Sequence, residues 1–174
     1  MHKIIAIVTA CLAGLPALAG ALPAPSTTPA GSTVSSPSLA GTWTLVAADV
    51  IHPDGTQARD YGAAPKGLLI IDAAGRYSLQ IFKAERPRFA SGDKANATLA
   101  EYQSAVQGSS THLGTLNVDP AAGTLTFHIQ SASFPNWEGT DQTRRYELRQ
   151  GELSYRVSAR PNGDTPISIW RRVD

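Results

Sequence analysis

From residue 41 onward the chain is built of segments whose apolar residues recur at every second position, each closed by a turn signal. Alternation with period two is the pattern of a strand with one face buried, and segments spaced this regularly predict an all-β chain of paired antiparallel strands. The expected strands run over 41–51, 67–72, 76–83, 112–118, 124–131, 142–149, 152–158 and 165–172. Eight is the number at which an antiparallel sheet can close into a barrel around its own side chains or one small ligand. The sequence therefore predicts one antiparallel, eight-stranded, up-and-down barrel.

One segment breaks the period. Thr98 and Glu101 have capping-box spacing, Leu99, Tyr102 and Val106 follow at helical intervals, and Gly108 can end the helix. A short helix is expected between the third and fourth strands, its apolar stripe packed on the barrel. Loop lengths then separate the two ends. Short turns at Ala74-Gly75, Ala122-Gly123 and Gln150-Gly151 fall at one end, while the long connections 52–66, 84–110 and 132–141 gather at the other. Loops held by a rigid scaffold are where binding residues concentrate, so the open end is the expected mouth.

The first residues have the anatomy of an export signal. Lys3 precedes an apolar run from Ile4 to Leu15, and Ala17-Leu18-Ala19 is a cleavage pattern. Residues 1–19 are read as a signal peptide, giving a periplasmic or extracellular protein. The run is short and is interrupted by Gly14 and Pro16, so no stable membrane insertion of the mature domain is expected. Residues 20–38, rich in proline, serine, threonine and alanine, read as a disordered linker, with the barrel domain spanning 39–174. Cys11 is the only cysteine, so after cleavage neither a disulfide nor a thiol nucleophile is available. A formal net charge of +1 without a basic run gives no footprint for nucleic acid. No feature specifies an oligomeric state.

Strand parity nominates the interior. Tyr77, Ile81, Phe127, Tyr146 and Tyr155 fall on the apolar faces of their strands, and so does Arg144, near the mouth. An inward arginine needs a carboxylate, from the protein or a ligand, because an unpaired buried charge is costly. Glu101 is a candidate internal partner. Arg86 and Arg88 flank Pro87 on a loop entering the same rim and could join Arg144 in holding a carboxylate or phosphate. Tyr102 lies at the margin of the helix stripe. Phe134, Asn136 and Trp137 give another rim loop an aromatic edge and one amide, suited to gripping a flat ligand or to packing over the barrel. His112 and His128 lack a third ligand at metal spacing, and no nucleophile motif joins serine, histidine and aspartate, so no catalytic residue, metal or cofactor is assigned.

Gly41-Thr42-Trp43 resembles the glycine-x-tryptophan signature of the lipocalin, or calycin, superfamily. The match continues through Tyr61-Gly62, Pro65-Lys66-Gly67, Gly75-Arg76-Tyr77-Ser78, Arg86-Pro87-Arg88-Phe89, Glu101-Tyr102, Phe134-Pro135-Asn136-Trp137 and Gly139-Thr140-Asp141-Gln142. Together these resemble the bacterial and fungal lipocalin-like domain family over Leu39 to Val173. The resemblance implies a barrel for small, usually apolar molecules. It also implies an arginine of the last strand against the tryptophan. If Ile167 and Ile169 face inward, parity makes that residue Arg171, stacking on Trp43 to close the barrel, with Arg172 as the alternative one register away.

Three functions remain open at this point. One is a carrier of a small apolar or amphipathic, carboxylated molecule. Another is an isomerase or cyclase using Glu101, Tyr102 or Arg144. The third is an envelope interaction protein with a filled barrel. An enzyme should show a polar pair deep in the cavity, whereas a carrier should keep polar groups at the rim.

Overall fold

The computed structural model describes residues 38–173; the expected signal peptide, Cys11 and the linker apart from Ser38 lie outside the described residues. The strands are β1 (Gly41–Ile51), β2 (Gln57–Ala58), β3 (Lys66–Ile71), β4 (Arg76–Phe82), β5 (Ser109–Asp119), β6 (Thr124–Ala132), β7 (Asp141–Arg149), β8 (Glu152–Arg156) and β9 (Thr165–Val173). Each long strand pairs antiparallel with its neighbour in sequence, and β1 also pairs with β9, from Thr42 opposite Val173 to Ile51 opposite Thr165. That last pairing closes an eight-stranded up-and-down barrel. The two-residue β2, which the sequence did not suggest, extends the pairing of β1 beyond β3.

Turn chemistry explains the tight end. Between β7 and β8, Gln150 and Gly151 both have positive φ, 51° and 79°, the left-handed pair that matches strand twist in a two-residue hairpin. On β5 a register shift falls between Leu113 and Gly114, and a Cβ at 114 would run into the His128 carbonyl oxygen. Glycine is required at that close approach.

The closed half of the barrel is filled. Trp43, Leu69, Leu79, Leu125, Phe127, Leu153, Tyr155 and Trp170 are essentially without solvent contact. Each large apolar side chain buried this way stabilises the fold by roughly 1.5–3 kcal/mol.

At the base, Arg172 lies over the Trp43 ring, 4.2 Å from its centroid. Its two terminal nitrogens donate to Ala40 O at 2.7 Å and Ser38 O at 2.6 Å, and the Trp43 indole N–H donates to Leu39 O at 3.0 Å. Residues 38–40 are thereby strapped across the closed end. This corrects the expectation that Arg171 stacks on Trp43: Arg171 points outward and pairs with Glu152 at 2.7 Å. The cause is the face chosen by β9. Both faces carry apolar residues, but Trp170, the bulkiest, is fully buried with Ser168 on the inner face, leaving Ile167 and Ile169 half-buried outside. Burying an indole removes more apolar area than burying an isoleucine, and a one-residue change of parity turns every side chain over.

Helix α1 (Leu99–Gln107) has the expected capping box, but its stripe does not pack on the barrel. Leu99 is 73% exposed and Val106 62%. The helix docks instead through the opposite face and by polar contacts. Glu101 accepts from Ala90 N at 2.7 Å, and Tyr102 donates its hydroxyl to Lys94 O at 2.8 Å. Those bonds to the preceding loop fix the rotation of the helix against its apolar moment.

Replacing Arg172 with alanine is expected to lower stability by about 1–3 kcal/mol, through loss of the ring stacking and two charged hydrogen bonds. Arg171→Ala should cost no more than about 1 kcal/mol, as for an exposed pair. Urea unfolding midpoints of the two variants check this, and equal losses would contradict the assignment.

Candidate functional site

Above the filled half, the barrel opens into a cavity of about 250 Å³. Leu79 and Ile81 of β4, Ser110 and His112 of β5, Gln142 and Arg144 of β7, Tyr155 of β8 and Ser168 of β9 supply its strand walls. Tyr61 and Asp60 from the β2–β3 loop, Trp137 from the β6–β7 loop, and Ser158 and Arg160 from the β8–β9 loop form its rim. Asp60 and Arg160 make an ion pair across that rim at 3.3 Å. His52, in the turn between β1 and β2, meets Asp164 of the β8–β9 loop at 2.8 Å. The mouth thus lies at the end where the long connections gather.

Arg144 is the centre of the site. Its guanidinium is wedged between two rings, 4.4 Å from the Phe127 centroid and 5.0 Å from that of Tyr155. One terminal nitrogen donates to Gln142 Oε1 at 2.8 Å, while Nε is buried without a partner. No carboxylate among the described residues lies within ion-pair distance of it. Burial works against its positive charge, opposed by the neighbouring Tyr155 and Tyr77 hydroxyls. The Tyr155 oxygen is flanked by Arg144, Ser168 and Trp170 without a well-aligned hydrogen bond to any of them. Cation–π contact with the two rings offsets part of the desolvation of Arg144.

Beside it lies a second polar group. His112 Nδ1 and the Tyr77 hydroxyl are 2.7 Å apart. The imidazole meets Tyr77, Phe127 and Trp137 edge to face, with centroids 5.3, 5.2 and 6.1 Å away. Burial, and secondarily the charge of Arg144, push His112 down from 6.5 to about 3. Burial drives Tyr77 upward. At neutral pH the imidazole is uncharged and the phenol keeps its proton.

The candidates named from sequence divide into three groups. Ile81, Trp137, Arg144 and Tyr155 line the cavity. Tyr77, Phe127 and Tyr146 face inward but belong to the packing around it. The rest lie outside. Glu101 is occupied by Ala90 N and by the Thr98 amide and hydroxyl, so it is no partner for Arg144. Arg86 and Arg88 line a separate, shallow surface groove with Lys94 beneath α1 and do not converge on Arg144. Tyr102 edges Phe89 there, and Phe134, just before the single-turn helix 135–137, and Asn136 on it are exposed while Trp137 turns in. His112 and Gln142 went unassigned in the sequence, although His112 shares parity with Leu116 and Val118, and Gln142 with Arg144.

A closed eight-stranded antiparallel barrel with a small cavity under one rim is an architecture with room for one small ligand. The chain belongs to the lipocalin-like domain family, which matches it over residues 40–173. No curated protein matches the chain. Among solved structures it is similar to a lipocalin-like protein from Bacteroides uniformis, at 16% identity, 78% coverage of this chain, 98% of the other and a TM-score of 0.37. It is also similar to an uncharacterized protein from Bacteroides eggerthii, at 12% identity, with coverage of 77% and 98% and a TM-score of 0.37. A mutant of the fluorescent protein UnaG matches at 13% identity, with coverage of 78% and 96% and a TM-score of 0.34. No helix among the described residues is long and apolar enough to cross a membrane.

The site makes stability sensitive to acid. The folded protein holds His112 near 3, whereas the unfolded chain protonates it near 6.5, so between these values the unfolded state binds the extra proton. The contribution of this residue is intact above pH 6.5 and is expected to be lost at up to about 1.4 kcal/mol per pH unit as pH falls toward 3. In His112→Leu that part of the slope should vanish, as read from urea midpoints at pH 7, 5 and 4. A wild-type slope unchanged by the substitution would place the acid sensitivity elsewhere.

Proposed function

We propose that this chain is an exported binding protein that holds a small amphipathic carboxylate in the barrel, with the apolar body against Leu79, Ile81 and Trp137 and the anion on Arg144. The observation that carries this reading is the buried guanidinium, which faces the cavity with an amide as its one protein hydrogen-bond partner and no carboxylate beside it. A ligand carboxylate would supply the missing countercharge by a charge-assisted bond. A volume of about 250 Å³ falls just below the usual span of ligand pockets, roughly 300–1,000 Å³, and points to a compact molecule such as a one-ring acid.

Polar groups do reach deep into the cavity, the feature expected of an isomerase, but their protonation favours binding. A general base works best with a pKa near the operating pH. His112, held near 3 beside a fixed positive charge, is a poor proton acceptor, and Tyr77 is a poor donor of its proton. The pair is suited to hydrogen bonding.

Isothermal titration with benzoate and phenylacetate is expected to give one-to-one binding, weakened at least tenfold by Arg144→Gln. Unaltered affinity in a stably folded Arg144→Gln protein would remove the carboxylate from this position. Export has its own test. Expressed with residues 1–19 in a bacterium with a general secretion pathway, the chain is expected to leave the cytoplasm with Gly20 at its N-terminus. Intact mass spectrometry of a protein still carrying Met1 and Lys3 would contradict cleavage after Ala19.

A further inference from the structure

The Tyr77–His112 contact fixes more than packing, because it settles which edge of the imidazole carries the proton. The Tyr77 hydroxyl is buried and has one proton to place. Among the described residues its one hydrogen-bond partner is His112 Nδ1, at 2.7 Å. Were Nδ1 protonated, it would donate to the phenol oxygen and leave the phenol proton without an acceptor. An unpaired buried donor is costly enough to decide between two tautomers that are otherwise close in energy. With Nδ1 accepting from Tyr77, the proton of the neutral ring resides on Nε2.

The position of that nitrogen gives it a task. His112 lines the cavity, and its Nδ1 edge is turned to Tyr77, so the Nε2 edge is the one left for the cavity. Phe127 ties its place to that of Arg144. The imidazole sits edge-on to this ring at 5.2 Å, and the guanidinium stacks on the same ring at 4.4 Å. Gln142 gives its carbonyl oxygen to Arg144, leaving its amide N–H groups. Around Phe127 the cavity therefore presents donors, while the two carboxylates of its lining are already held, Asp49 by the Gln57 amide at 2.8 Å and Asp60 by Arg160 at 3.3 Å.

We infer that the ligand carries a second acceptor atom besides its carboxylate, received by His112 Nε2–H, with Tyr77 as the positioning residue that fixes this tautomer. The inference rests on the carboxylate reading above and narrows it to compact acids bearing a carbonyl or ether oxygen on the apolar body. A site built around a committed donor discriminates strongly against an analogue lacking the acceptor, since the donor is then left unpaired.

The test uses the full chain and two readouts. Histidine side-chain nitrogen NMR on the unliganded protein at neutral pH is expected to show His112 in the Nε2–H form, and the Nδ1–H form would overturn the inference. Titration then compares meta- and para-acetylbenzoate with the isopropyl analogues, which keep the shape and lack the oxygen. At least one acetyl isomer should bind roughly two- to tenfold more tightly than its isopropyl counterpart. That margin should disappear in His112→Leu. It should also shrink in Tyr77→Phe, where the ring is free to present a lone pair at Nε2 and hydroxybenzoates gain relative to acetylbenzoates. Equal affinities for acetyl and isopropyl acids in the wild type, with binding still dependent on Arg144, would sink this inference and leave the carboxylate reading standing. Failure of every carboxylate to bind would remove both.

Discussion

The pairing of β1 with β9 is the contact on which the other features of this barrel depend. It runs the length of both strands and leaves the sheet without a long open edge. The register is not uniform, since it shifts between Leu45 and Ala47. Below the shift, Leu45 faces Trp170 and the barrel is filled; above it, Ala48 faces Ser168 and the wall has small side chains. The irregularity in β1 thus sits where packing gives way to cavity. Strand number alone permits either a full or a hollow interior, and here the division is made by side-chain size along two paired strands.

The cavity illustrates how a mostly apolar barrel tolerates a charge. Arg144 loses its hydration but gains two aromatic faces and an amide, and Phe127 serves both Arg144 and His112. Burial, reinforced by that positive charge, keeps the imidazole neutral, so the two donors differ in kind: one a guanidinium, the other an uncharged ring. A floor of this composition separates ligands by where their oxygens lie as well as by net charge. The rim adds a different element. The Asp60–Arg160 and His52–Asp164 pairs bind the connection between β1 and β3, on either side of β2, to the loop before β9, carrying the closure of the sheet up into the mouth.

Much of the fold was legible in the sequence because its determinants are local. Period-two runs, positive-φ turn residues such as Gln150-Gly151, and the Thr98/Glu101 capping box each act within a few positions. What could not be read depended on competition between faces. In β9, apolar residues occupy both parities, and only the volume of Trp170 against Leu45 and Leu153 decides which turns inward. In α1, the stripe of Leu99, Tyr102 and Val106 was a clear signal, yet the helix is rotated by the hold of Glu101 on the Ala90 amide, a contact eleven residues away. The site shows the same division. Arg144 was placed by strand parity, but the separation of Arg86 and Arg88 from it depends on the path of a long loop. His112 carried a parity signal obscured by Leu113 on the opposite face, next to the register shift.

The strap of residues 38–40 under Arg172 also orders events in time. The first stretch of the domain to be synthesised is held by a residue of its final strand, and β1 gains a partner on its other edge only when β9 exists. A nascent barrel therefore remains an open sheet until its final strand is complete. Contacts of such long sequence separation are slow to form, because loop closure must precede any gain from them. A chain ending before β9 would keep the edges of β1 and β8 unpaired, surfaces that invite pairing with other chains. The last nine residues of the sheet thus separate a unit closed on itself from one that is still adhesive.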